Sequence, residues 1–311
     1  MSGPGCGRYC VSESPLAAAV KIVLYAAAAV LALGLVFVLR IALWNYRAER
    51  SDFTRWPRSE VSKHPDQTGI PELHEVIFSD PGQPQWAGWY APSRNRAAII
   101  LVHGTGADRT AVLAETRILA AAGFGALAID FPGQGASEGH SLWGVPERQA
   151  ISAAVDWLSG REEVDPGRIG AFGFSMGAYV LTQAAVRDPR LRAVTLAASP
   201  TDVVEQNWVT SRQWGLLSQL PQYWALRVSG MPLDMRPKDV IGTIAPRAIF
   251  IINGDLDTSV PPYMARQLAA AAGNPKELWM VPGAHHGDYA KVAPEQYRDR
   301  LTDFFRRTLL N

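Results

Sequence analysis

Gly173-Phe174-Ser175-Met176-Gly177 stands between an apolar run, residues 169–174, and a helix-patterned stretch from Met176 to about Arg187. Strand, glycine-flanked serine and helix, in that order, are what a nucleophile elbow requires. The turn is so sharp that the backbone crowds itself on both sides of the serine, which is why Gly173 and Gly177 are needed. The strain holds the Ser175 hydroxyl at a helix N-terminus, where backbone N–H groups stabilise negative charge. The bland alternative is an ordinary Gly/Ser turn, and the flanking strand and helix argue against it.

Outward from this turn the chain alternates strand-like and helix-like segments. Upstream, His74 to Ser79 and Gln85 to Tyr90 read as an antiparallel pair joined through Asp80-Pro81-Gly82. Residues 97–102 (AAIILV) form a continuous apolar run, suited to a strand buried on both faces. A helix over 109–122 follows, then a strand over 125–129, then a helix that Pro146 opens without losing a needed N–H. Downstream come strands over 191–198, 248–252 and 277–281 and helices over 263–272 and 296–309. Such alternation predicts an α/β fold, a mostly parallel central sheet with helices on both faces. Reactive groups in such sheets collect at the carboxyl ends of the strands.

The strand ends carry the expected chemistry. His103-Gly104-Thr105-Gly106 follows the AAIILV run, and its glycines let the backbone turn an N–H toward the serine. The expected oxyanion donors are the backbone N–H groups of Thr105 and Met176, with His103 structural. A serine hydroxyl needs a base, and the base needs an orienting carboxylate. The base is expected from Pro282-Gly283-Ala284-His285-His286-Gly287, with His286 preferred over His285. The carboxylate is expected from Gly254-Asp255-Leu256-Asp257, with Asp257 first and Asp255 and Asp202 as alternatives. The chain order is then Ser, Asp, His. Residues 130–137 (DFPGQGAS) are glycine-rich but lack the lysine of a phosphate cradle, and read as a structural turn. His64, His74 and His140 show no metal-ligand spacing, and acyl transfer through a serine, a histidine and a carboxylate needs neither a metal nor an organic cofactor. Trp208, Trp214 and Trp224 read as packing residues.

Bulk properties narrow the field. The 311 residues are 48% apolar with a net charge of +1, which fits a packed core and argues against nucleic-acid binding. The two cysteines, Cys6 and Cys10, lie in the N-terminal tail, so the presumed catalytic domain has neither a disulfide framework nor a cysteine metal site.

Residues 22–39 (IVLYAAAAVLALGLVFVL) carry no charge and are bracketed by Lys21 and Arg40. As a helix they extend about 27 Å, close to the hydrocarbon thickness of a bilayer. A single spanning helix is the preferred reading; a cleaved signal peptide and a buried core helix are the alternatives. Arg40, Arg47, Arg50, Arg55 and Arg58 follow the span, whereas Arg8 and Lys21 precede it, which places the C-terminal side in the cytoplasm. The expected organisation is a tail over 1–20, an anchor over 21–44, a linker over 45–71 and a catalytic domain over 72–311.

From about Glu72 to Leu310 the chain resembles the α/β-hydrolase superfamily. The resemblance rests on Trp89-Tyr90-Ala91-Pro92, the HGTG turn, DFPGQGASEG over 130–139, GFSMG, and GDLDTSVP with GAHHG, in that order. It is most similar to the membrane-anchored, serine-aminopeptidase-like branch. The resemblance implies Asp257 as the acid and His286 as the base; His285 stands where the family commonly has glycine. It also implies a small lid over about 203–240, rich in Trp, Leu and Met. The expected activity is two-step acyl transfer to water on an acyl ester or thioester. A serine aminopeptidase and a catalytically silent, membrane-tethered binding module are the competing readings.

Overall fold

The computed structural model describes residues 15–54, 61, 63–79, 82, 84–212, 223, 226, 231 and 233–311. Cys6, Cys10, Arg55, Arg58, Trp214, Trp224, the Asp80-Pro81 pair and residues 213–222, 224–225, 227–230 and 232 of the expected lid lie outside the described residues.

Eight strands form one sheet: β1 (His74–Phe78), β2 (Trp86–Ala91), β3 (Ala98–Val102), β4 (Gly125–Ile129), β5 (Ile169–Phe174), β6 (Leu191–Ala197), β7 (Ala248–Gly254) and β8 (Lys276–Val281). Their spatial order is β1-β2-β4-β3-β5-β6-β7-β8. β2 runs antiparallel to β1 and β4, and the remaining pairs are parallel. This is the α/β-hydrolase architecture. The central strands are apolar at nearly every position because both sheet faces are covered. Along β3 the side chains alternate: Ile100 and Val102 enter one core cluster, Ile99 and Leu101 the other.

Among the described residues the helices of nine residues or more are α1 (Pro15–Thr54), α2 (Leu113–Ala121), α3 (Val145–Ser159), α4 (Met176–Arg187), α5 (Val203–Ser211), α6 (Pro262–Ala271) and α7 (Pro294–Leu309). Residues of α3, α4 and α6 bury against one face of the sheet. Those of α2 and α7 bury against the other, with Tyr297, Leu301, Phe304 and Phe305 on the inner stripe of α7. Full burial of each such side chain is worth about 1.5–3 kcal/mol.

Three features depart from the sequence reading. The helix expected over 109–122 opens as a tight 3-10 turn, Arg109–Val112, before α2 begins. There the Asp108 carboxylate accepts from the Thr110 N–H at 2.8 Å and draws the first turn in. β7 runs on to Gly254, where a Cβ would lie 2.1 Å from the Ala284 carbonyl oxygen, so the loops after β7 and β8 touch. Finally, α1 continues to Thr54, ten residues past the expected anchor end at 44. Residues 45–54 contain neither Gly nor Pro, and Pro57 is the first helix breaker. Within α1, Ala19–Trp44 is long and apolar enough to cross a membrane, and none of it is buried.

Candidate active site

Ser175 stands at the junction of β5 and α4 with φ 53° and ψ −118°, a left-handed conformation that L-residues avoid. The flanking glycines are sterically required. A Cβ on Gly173 would meet the backbone of Gly177 and Ala178 at 2.7 Å, and one on Gly177 would meet the Val102 and His103 carbonyl oxygens at 2.5 and 2.6 Å. The Ser175 N–H donates to the Ala197 carbonyl at 2.8 Å, which fixes the elbow to the end of β6.

The loops after β7 and β8 bring the other expected residues to this point. His286 Nε2 lies 3.2 Å from Ser175 Oγ, and His286 Nδ1 lies 2.8 Å from Asp257 Oδ2. With Nδ1 carrying its proton toward the carboxylate, Nε2 is the acceptor for the serine hydroxyl. The other carboxylate oxygen, Oδ1, accepts from the Ser259 and Val260 N–H groups at 2.9 and 2.8 Å. Those two bonds set the plane of a carboxylate that is buried and unable to rotate away. Phe174 packs on the imidazole, ring centroids 4.9 Å apart.

The alternatives are engaged elsewhere. His285 is exposed, its Nδ1 3.1 Å from the Leu256 carbonyl. Asp255 accepts from the Gly283 N–H, and Asp202 caps α5 by accepting from the Val204 N–H. His103 is fully buried at the end of β3. The Phe131 N–H donates to its Nε2 at 3.1 Å, so Nδ1 carries the proton and donates to the Gly104 carbonyl at 2.8 Å. Burial holds its pKa below the ordinary histidine range. It is a neutral brace between two loops.

Met176 is the first residue of α4, so its N–H has no partner within the helix. Gly104 approaches the serine closely, since a Cβ there would lie 3.2 Å from Ser175 Cβ. Thr105 follows it in an exposed turn. The glycine-rich loop after β4 is built around Asp130. This carboxylate is buried, lies 2.9 Å from Arg109 Nη2, and accepts from the Arg109 and Ala136 N–H groups at 2.7 and 2.8 Å. Gly135, at φ 52°, leaves the room that Asp130 fills.

Two contacts escaped the sequence reading. Phe174 occupies a variable position of the elbow motif, and nothing local marks it as the neighbour of His286. Gln206 on α5 donates through Nε2 to the Ser259 carbonyl, two residues after Asp257. That tie joins segments 53 residues apart, beyond the reach of any local pattern. Among the described residues no group of three or more His, Cys, Asp or Glu is arranged to hold a metal ion.

Known proteins agree with this architecture. An uncharacterised protein of Mycobacterium tuberculosis is 28% identical over 250 residues, covering 77% of this chain and 81% of its own length. The uncharacterised protein YfhR of Escherichia coli is 25% identical over 237 residues, covering 71% of this chain and 76% of its own. Among solved structures, an esterase of Pyrococcus furiosus superposes with a TM-score of 0.69 at 22% identity, covering 81% of this chain and 97% of that one. The ferulic-acid-bound esterase Est1E of Butyrivibrio proteoclasticus gives 0.63 at 19% identity, covering 76% and 100%. At these identities the structural likenesses establish the fold. A family model described as X-Pro dipeptidyl-peptidase (S15 family) matches residues 46–241. With its elbow, sheet order and helices in place, the chain belongs to that S15 family of α/β-hydrolases and is a hydrolase.

Proposed function

We propose that the chain is a serine hydrolase that cleaves acyl esters or thioesters through Ser175, His286 and Asp257. One observation carries the reading: an unbroken path of 3.2 and 2.8 Å from Ser175 Oγ through the imidazole to a buried carboxylate. His286 takes the hydroxyl proton as Ser175 attacks the carbonyl carbon. Asp257 keeps the ring oriented and stabilises its cationic form. The N–H groups of Met176 and Thr105 receive the oxyanion. His286 then returns the proton to the leaving group, and water, activated by the same ring, cleaves the acyl-enzyme.

The test is covalent labelling of Ser175 by a fluorophosphonate, together with turnover of chromogenic acyl esters and thioesters. Unaltered turnover by Ser175→Ala would refute the assignment. The family description favours a second reading, a peptidase that removes residues from a free amino terminus; aminoacyl and X-Pro anilides test it.

In this proposal α1 anchors the hydrolase to a membrane through Ala19–Trp44, with the catalytic domain on the cytoplasmic side. The length and apolarity of that segment support anchoring, and the arginines after it support the sidedness. The test is extraction: the full chain should stay with membranes in alkaline carbonate, and a chain lacking residues 15–54 should not.

A further inference from the structure

A guanidinium stays charged at every ordinary pH, so a half-buried one is usually matched by a carboxylate. Arg109 is matched by Asp130, and Arg190 by Asp188 and Asp156. Arg148 on α3 and Arg187 at the end of α4 are different. Among the described residues no carboxylate forms an ion pair with either, and their acceptors are neutral. Arg148 Nη1 donates to Gln183 Oε1 at 2.7 Å and lies 3.7 Å from Met235 Sδ. Arg187 Nε lies 3.2 Å from the same sulfur. Both guanidiniums thus converge on a thioether, which is a weak acceptor.

The arrangement is braced from beneath. Gln183 is fully buried; its Oε1 accepts from Arg148, and its Nε2 donates to the Met235 carbonyl at 3.1 Å. Glu147, next to Arg148 in the chain, accepts instead from the Leu142 and Gly144 N–H groups. Burial and the like charge of Arg187 lower the pKa of Arg148, against a smaller opposing influence of Asp234 and Glu147. Arg148 and Arg187 line a cavity of about 430 Å³ between α3 and α4, together with Gln149, Ser152, Asp188 and Arg190. The Asp188 carboxylate is taken up by the Arg190 side chain, at 2.7 to 3.2 Å. The cavity therefore presents the charges of Arg148 and Arg187 with nothing on its walls to balance them.

Planar guanidiniums match the oxygen edges of a phosphate, and a phosphate monoester carries nearly two negative charges at neutral pH. We propose that Arg148 and Arg187 bind a phosphate monoester, its phosphate bridging the two guanidiniums in place of the Met235 sulfur and its organic part lying in the cavity. A cavity of this size holds a small molecule, well beyond a bare phosphate. The site stands at the opposite end of α4 from Ser175, about 17 Å along the helix axis, and does not depend on the chemistry there. A soluble ester and the headgroup of phosphatidic acid offer the same group, and the experiment separates them.

Calorimetric titration of the full chain in neutral detergent at low salt, with inorganic phosphate and with glycerol 3-phosphate, reads the site. Both should bind saturably, the ester more tightly. Arg148→Met and Arg187→Met should each weaken binding at least about tenfold, the loss of one charge-assisted contact. Arg192→Met, on the wall of a different cavity, should leave it unchanged. Arg187 is exposed, so Arg187→Met carries the test should Arg148→Met fail to fold. Displacement of the ester by phosphatidic acid in the micelles, but not by phosphatidylcholine, makes the lipid headgroup the source. Displacement by neither makes it a soluble ester. No saturable binding of either probe up to about 10 mM overturns the proposal. So does an ester that binds no more tightly than inorganic phosphate, or binding that Arg187→Met leaves intact or Arg192→Met weakens as much.

Discussion

The Phe174 and His286 rings lie 4.9 Å apart, and a Cβ on Gly287 would fall 2.6 Å from Phe174 Cζ. The residue before the serine thus supports the loop that carries the imidazole. Gly287 also has φ 82°, which a side chain resists. Gly287→Ala should cost about 1–3 kcal/mol of stability. It should also lower kcat/KM about a hundredfold by displacing the ring. Steady-state kinetics beside a urea melt separates the two effects; wild-type kinetics would show that this contact does not set the ring.

Ser175 itself is under strain at φ 53° and ψ −118°. Ser175→Gly should therefore raise the unfolding free energy, by about 1–3 kcal/mol if the strain is released in full. The same change should abolish fluorophosphonate labelling and ester turnover. A variant no more stable than the wild type would mean that the elbow holds no strain at this residue.

Asp257→Asn can keep its carbonyl oxygen on the Ser259 and Val260 N–H groups while turning an NH2 toward His286 Nδ1. That forces the imidazole proton onto Nε2, the atom that must accept from Ser175. The expected loss in kcat is about 10⁴-fold with little change in folding. Asp255→Asn and His285→Asn should stay within about tenfold of wild type, because their partners are backbone groups outside the relay. A reversed order would move the acid or the base to those residues.

Arg109 and Asp130 are both buried and lie 2.9 Å apart. Arg109→Met strands an uncompensated carboxylate under the loop after β4. The expected destabilisation is about 3–5 kcal/mol, read from denaturant midpoints. The double variant Arg109→Met/Asp130→Leu should recover part of it.

His103 is held neutral by burial, so its folded pKa lies below the ordinary value near 6.5. The unfolded chain then binds the extra proton first as pH falls. Its contribution is fully present above about pH 6.5 and is lost below it, by at most about 1.4 kcal/mol per pH unit. His103→Gln should be less stable than wild type at pH 8 but show a smaller drop between pH 7.5 and 5.5. Urea unfolding at the two pH values measures this.

Much of the fold was legible because β3, β4 and β5 are apolar runs bounded by glycine turns, and the carboxyl end of β5 carries the serine. Local rules sufficed there. They also sufficed to nominate Asp257 and His286, since each follows a strand. They also preferred His286 over His285, but what turns one ring inward is not local: His286 faces Ser175, while His285 Nδ1 lies against the Leu256 carbonyl 29 residues away in sequence. The 3-10 opening of α2 was equally hidden, since it comes from one Asp108 side chain closing on Thr110. The continuation of α1 to Thr54 was readable in principle, from the absence of any breaker before Pro57.

β8 closes one margin of the sheet, and it begins with Lys276 and Glu277, the latter 3.0 Å from Arg307. Arg300 lies over Trp279, 5.0 Å from the ring centroid. A strand from another molecule arriving at this margin would have to strip water from four charged groups before forming its first rung. Addition of a strand from a second copy is therefore disfavoured at the β8 margin.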